Sequence, residues 1–307
     1  MLKIIVAVLF TLMALAPAFA TDKTFTGQLD SIKTELAEMP EMPNSKYIST
    51  YDLKDLLRDS NPEIRKVAVK NSKTIISNSG IYRLIIDIFE SNSERLDIRI
   101  EAARALSYGT GESRITDALS YAVKYENDPT VLKIMTYKSL WHAASTRSAT
   151  QSFLVGALKY DEKDSKIRKA VIWSLFAASR NSRVSDTLLD LLKYGNDDNA
   201  TKIEAIKSLY LAMGQSSVKS QMMDIVKYKT SPADTELRKT AILALSAANG
   251  DSRVESLLED LIKYDKDTEI REVALEAMVQ DQFKMNEFFH LNYALGNGSV
   301  FNPIEKE

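Results

Sequence analysis

Along this chain apolar residues fall at helical spacing in short segments, and the segments themselves recur. Leu188, Leu189, Leu191 and Leu192 form one such run and Leu257, Leu258, Leu261 and Ile262 another, each closed by a Lys-Tyr pair. Five copies of that pair, Lys124-Tyr125, Lys159-Tyr160, Lys193-Tyr194, Lys227-Tyr228 and Lys263-Tyr264, stand 34–36 residues apart. A fixed period of this length marks stacked structural repeats, because one small supersecondary unit cannot bury its apolar face alone. In each unit a serine precedes the apolar run in register: Ser79, Ser113, Ser148, Ser182, Ser216 and Ser252. A serine hydroxyl can accept the unpaired N–H groups of a first helical turn, so this column predicts a repeated N-cap for a first helix, A.

A second segment, B, follows each unit's A helix with the order apolar, basic, two variable positions, small, apolar, variable, small, Leu. Its copies begin at Ile64-Arg65, Ile98-Arg99, Leu132-Lys133, Ile167-Arg168, Thr201-Lys202, Leu237-Arg238 and Ile270-Arg271. Ala68, Ala102, Ala205, Ala241 and Ala274 recur at the small position and Leu106, Leu140, Leu175, Leu209 and Leu245 at the leucine position. Small residues let helices approach closely, and the leucines are expected to fill the space between layers.

The stretch Asp59-Ser60-Asn61-Pro62-Glu63-Ile64-Arg65-Lys66-Val67-Ala68 resembles the turn and second-helix signature of HEAT repeats. Asn127-Asp128-Pro129 before Lys133 and Asp265-Lys266-Asp267 before Arg271 are similar, so the resemblance covers about residues 50 to 280. It implies an all-α fold, a right-handed α-α superhelix, or α-solenoid, of about seven two-helix repeats. It further implies that the Asp-rich turns and the basic column pair along the stack, which makes Arg65, Arg99, Arg168, Arg238 and Arg271 structural. Two enzyme families share that scaffold. Deoxyhypusine hydroxylases hold iron through His-Glu pairs, and this sequence has no His-Glu dipeptide; bilin lyases act on intracellular antenna proteins.

The ends differ from the repeats. Lys3, the apolar run Ile4 to Leu15 and Ala18-Phe19-Ala20 have the form of a secretory signal peptide, residues 1–20, cleaved after Ala20, which predicts a periplasmic or secreted protein. The run is shorter than the ~20 apolar residues that span a bilayer, and no later segment is long enough, so no integral membrane segment is expected after cleavage. Residues 21–46 read as an N-terminal helix and a linker broken by Pro40 and Pro43. Residues 47–280 are the repeats, and residues 281–307 a capping helix with Phe283, Phe288, Phe289 and Leu291, followed by a flexible tail.

Composition narrows the chemistry. The 40 basic and 42 acidic residues give a net charge of −2, which argues against bulk nucleic-acid binding. Cysteine is absent, so disulfides, thiolate metal sites and a Cys nucleophile are excluded. The two histidines, His142 and His290, lie in different units, so neither a His-based triad nor a multi-His metal site is expected. There is no Gly-rich phosphate loop and no Gly-x-Ser-x-Gly elbow. The expectation is a non-catalytic protein with no metal and no cofactor.

Registering the B segments on their basic residue exposes one local bias. The positions one and five after it are Lys66/Lys70, Ile100/Arg104, Ile134/Lys138, Lys169/Trp173, Ile203/Lys207, Lys239/Leu243 and Glu272/Glu276, with no acid in the first six pairs. Just after the leucine column come Trp141, Phe176 and Tyr210, so both tryptophans fall in the middle of one expected concave surface. If these side chains face outward, they form a groove for a protein partner bearing an acidic and hydrophobic segment. If they turn inward, the aromatics belong to the core and the lysines are a solvated face. The outward reading gives an exported scaffold or adaptor. Its alternatives are a lyase-related accessory binding a conjugated small molecule and a cell-wall or carbohydrate binder. By position and chemistry the Lys-Tyr column reads as structural: a cation at a helix C-terminus and a tyrosine closing a turn.

Overall fold

The computed structural model describes residues 49–125 and 128–279, which are all-helical with no strand among them. The signal peptide, the N-terminal helix and the C-terminal cap expected from sequence lie outside the described residues. No described helix is long and apolar enough to cross a membrane.

Helices alternate between the two kinds read from the sequence. The first pair is α1 (Thr50–Leu56) and α2 (Pro62–Asn71), followed by α3 (Ser79–Glu90) and α4 (Leu96–Ser107), then α5 (Ser113–Tyr125) and α6 (Thr130–Ser139). An extra short helix, α7 (Trp141–Thr146), precedes α8 (Ser148–Gly156), which runs into a π-helical turn over Ala157–Asp161 and is paired with α9 (Ser165–Leu175). The series continues with α10 (Ser182–Tyr194) and α11 (Asn199–Ser208), α12 (Ser216–Tyr228) and α13 (Thr235–Leu245), and α14 (Ser252–Tyr264) and α15 (Thr268–Val279). Each B helix packs on its own A helix and on the B helix before and after it, in the order α2, α4, α6, α9, α11, α13, α15.

The columns explain that packing. Leu106, Leu140, Leu175, Leu209 and Leu245 are all completely buried, each contributing about 1.5–3 kcal/mol by removal from water. Among the small residues, Ser139, Ser174 and Ser208 do more than allow close approach. Their hydroxyls donate across to the preceding B helix, to the carbonyls of Ala103, Tyr137 and Ile172, at 2.9, 2.7 and 3.0 Å.

The serine column is not the cap. Ser79, Ser182 and Ser252 are the first helical residues, and the capping side chains stand one place earlier: Asn78, Asn181 and Asp251 accept from the N–H of Gly80, Arg183 and Arg253. The shorter, planar Asn and Asp side chains reach the first-turn N–H from an extended backbone, a position that Arg147 and Gln215 occupy without capping through their side chains. The turns before the B helices behave as their composition suggests, with Asn61 capping α2 ahead of Pro62, Asp164 capping α9 and Asp198 capping α11.

The basic column makes a ladder. Arg99 and Arg238 donate back to the carbonyls of Phe89 and Val226 near the ends of their own A helices. Forward, Arg65 meets Glu94 at 2.7 Å, Arg99 meets Asp128 at 2.7 Å, Arg168 meets Asp197 at 2.6 Å and Arg238 meets Asp265 at 2.5 Å. Each rung therefore ties one turn to the carboxylate of the next. Arg271, on the last described helix, donates to the Ile262 carbonyl.

Candidate functional site

Because the B helices lie side by side, the positions one and five after the basic residue come together on α4, α6, α9, α11 and α13. Ile100, Ile134, Ile203 and Leu243 are half-buried and rest on the core, each leaving part of its side chain at the surface. Arg104, Lys138, Lys169, Lys207 and Lys239 are also partly exposed.

The aromatics divide. Trp141, at the start of α7, and Tyr210 are partly exposed, whereas Trp173 and Phe176 are only 8% and 4% exposed. For these last two the expectation of an open aromatic surface is corrected. Trp141 packs edge-to-face on Trp173, with ring centroids 6.5 Å apart, and the Lys138 ammonium lies 5.9 Å above the Trp173 ring. Phe176 opens a 3₁₀ turn, Phe176–Ala178, against which α7 packs. In this unit, then, the extra helix α7 covers what the column arithmetic placed at the surface.

The charges are also less one-sided than the two columns suggest. Arg104 pairs with Glu101 at 2.9 Å, Lys66 with Asp97 at 2.9 Å, and Lys239 with both Glu236, at 3.0 Å, and Glu269. At the centre Lys207, Lys138 and Lys169 act electrostatically on the Glu204 carboxyl. Glu101 and Glu204 escape a register based on two columns, yet each stands three residues before a cation of the stripe, Arg104 and Lys207, a spacing that brings side chains together on a helix. The middle of the face therefore carries the three lysines together with the Glu204 carboxyl, with the partly exposed Trp141 nearby on Trp173.

Burial raises the pKa of Glu204 above the ordinary glutamate value, and the attraction of Lys207, Lys138 and Lys169 only partly offsets it. A carboxyl whose folded-state pKa exceeds its unfolded value disfavours folding once pH rises between the two, since the unfolded chain then ionises more readily. Glu204→Gln is thus expected to raise the melting temperature at neutral pH, with the gain fading as pH falls towards the ordinary glutamate pKa. Melting curves at the two pH values check this; an equal or negative shift at neutral pH would contradict it.

His142 is exposed, its Nδ1 3.3 Å from the Thr110 hydroxyl and its ring 5.6 Å from that of Trp141; His290 lies outside the described residues. Among the described residues no three His, Asp or Glu side chains gather where a metal ion could be held. Comparison of the sequence with protein-family models and with curated proteins finds no match.

Proposed function

We propose that residues 47–280 form an α-solenoid of about seven HEAT-like repeats in an exported protein, and that the chain is a non-catalytic scaffold or adaptor. Its partner is a protein segment with both acidic and hydrophobic side chains, lying along the B-helix face from Ile100 to Leu243. The sequential packing of the B helices supports the solenoid, since among the described residues the extensive helix contacts run between neighbouring layers, in the manner of repeat proteins.

One observation carries the binding reading: Lys138, Lys169 and Lys207 stand on three successive B helices, all three acting on the Glu204 carboxyl, with the half-buried Ile134 and Ile203 on the first and third of those helices and the partly exposed Trp141 packed on Trp173, over which Lys138 lies. A partly exposed aromatic beside aliphatic side chains and three lysines suits a partner helix or strand with an acidic rim. The test compares capture from an envelope extract by the wild type and by Trp141→Ala/Lys138→Glu. Trp141 is preferred to Trp173 because truncating the covered Trp173 would disturb packing. Loss of the captured protein by at least tenfold, with helix content unchanged, is expected; full retention of every partner would discard the reading.

A further inference from the structure

Two rows of side chains change their exposure at the first and last described layers. The residue before the basic column is buried in six layers, as Ile98, Leu132, Ile167, Thr201, Leu237 and Ile270. In α2 the same position, Ile64, is 38% exposed, and Val67, three residues on and so on the same side of the helix, is 60% exposed. The residue four after the basic column is buried as Val69, Ala103, Tyr137, Ile172, Ile206 and Ile242. In α15 that position, Leu275, is 53% exposed, with Val279 one turn on at 71%. The first row is therefore the side of a B helix that meets the layer before it, and the second the side that meets the layer after it. Repeat arrays ordinarily end in layers whose outer face is polar. Here α2 and α15 each present one apolar half of the contact that recurs between layers.

The charges of the two ends match in the same sense. Each rung of the ladder joins an arginine to a carboxylate 27–29 residues further on. Arg271 is exposed and donates back to the Ile262 carbonyl, as Arg99 and Arg238 do to theirs, but the described residues hold no carboxylate ahead of it. At the spacing of the ladder the expected capping segment supplies none either, since positions 298–300 are Gly298, Ser299 and Val300.

Asp59 is the opposite case. One of its oxygens accepts the Asn61 N–H, as one oxygen of Asp265 accepts that of Asp267, and the other oxygen of Asp265 takes Arg238. Arg65, in the same layer as Asp59, gives its hydrogen bonds to Glu94 and to the Asp59 and Ser60 carbonyls, not to the Asp59 carboxylate. Positions 30–32, from which the ladder spacing would bring a cation, are Asp30, Ser31 and Ile32. The two ends thus hold the separate halves of one rung. The wider balance agrees: residues 50–73 carry six cations and four acids, and residues 251–279 four cations and nine acids. Glu63, the one acid of α2, is already paired with Arg95.

We propose that the two ends bind each other between copies of this chain. α15 of one molecule lays Leu275 and Val279 on Ile64 and Val67 of α2 in the next, and Arg271 completes the rung with Asp59. Because the two faces differ, the contact is head-to-tail and leaves one unused end on each side of a pair, so further copies add in the same way. The B-helix face takes no part in it.

Analytical ultracentrifugation tests this with two variants, each altered at one end. The mass of the wild type should rise with protein concentration. Val67→Glu removes the α2 end and Leu275→Glu the α15 end, both at exposed positions, so each alone should stay monomeric with an unchanged melting temperature. Mixed in equal amounts they should form a dimer and nothing larger, since only the α15 end of Val67→Glu and the α2 end of Leu275→Glu can meet. Arg271→Gln should weaken the wild-type association at least tenfold. A wild type monomeric at every concentration, the result that ends covered by the chain's own flanking residues would give, would overturn the proposal. So would single variants that still self-associate, a mixture that stays monomeric, or association indifferent to Arg271→Gln.

Discussion

Asp128→Ala is expected to lower the unfolding free energy by about 3–5 kcal/mol. The Arg99–Asp128 rung is the most enclosed of the ladder, with the two side chains only 7% and 5% exposed. The Arg99 guanidinium is held at three points, donating to the Phe89 carbonyl at 2.8 Å, to Asn92 Oδ1 at 3.2 Å and to Asp128 at 2.7 Å. Removing the carboxylate leaves a positive charge in place with no counter-charge, and water cannot readily replace what is lost. Asp128→Asn should cost less, because the amide oxygen still accepts a hydrogen bond. Urea unfolding followed by circular dichroism gives the magnitude. Since the layers couple to their neighbours, hydrogen exchange should show the loss centred on α4 and α6. Glu259→Ala, which removes the exposed partner of Lys263, should leave the curve unchanged. A cost below about 1 kcal/mol for Asp128→Ala would mean that water reaches the rung.

The helices, their order and their buried columns were legible because a period of 34–36 residues leaves little freedom: the same apolar positions must meet the same neighbours in each layer. Leu106 and Leu140 could be assigned to the core from spacing alone, and they are fully buried. The cap was misplaced by one residue for a related reason. The serine is constant whereas the true cap position varies among Asn, Arg, Gln and Asp, so the regular column drew the assignment away from the functional one. What spacing could not show is contact between units. That Arg65 reaches forward to Glu94 depends on which turn lies above it, and the covering of Trp173 depends on an extra helix, α7, found in one unit only. The compensation of the basic stripe was hidden by the choice of columns, although the three-residue spacing of Glu204 and Lys207 was available in the sequence.

One rung of the ladder is made by a tyrosine, and it carries the second large effect. Lys133 and Lys202 stand where the other units place arginine, and after Lys133 the carboxylate at the next turn, Glu162, is reached by the hydroxyl of Tyr137 at 2.7 Å. Tyr137 is 1% exposed, and its ring lies near-parallel to that of Phe153, with centroids 6.4 Å apart. Burial and the neighbouring carboxylate hold its hydroxyl protonated well above the usual tyrosine range, so it donates at any working pH. Tyr137→Ala is expected to cost about 3–5 kcal/mol through the cavity it leaves. Tyr137→Phe keeps the ring and should cost about 1–3 kcal/mol, because Glu162 then loses its donor in a partly enclosed site. Adding Lys133→Arg to Tyr137→Phe should recover part of that loss, since Arg99 and Arg168 show that a guanidinium at this position reaches the next turn's carboxylate. Urea curves for the two single variants and the pair decide the matter. A double variant no more stable than Tyr137→Phe would mean that the rung is set by tyrosine packing and not by its hydrogen bond to Glu162.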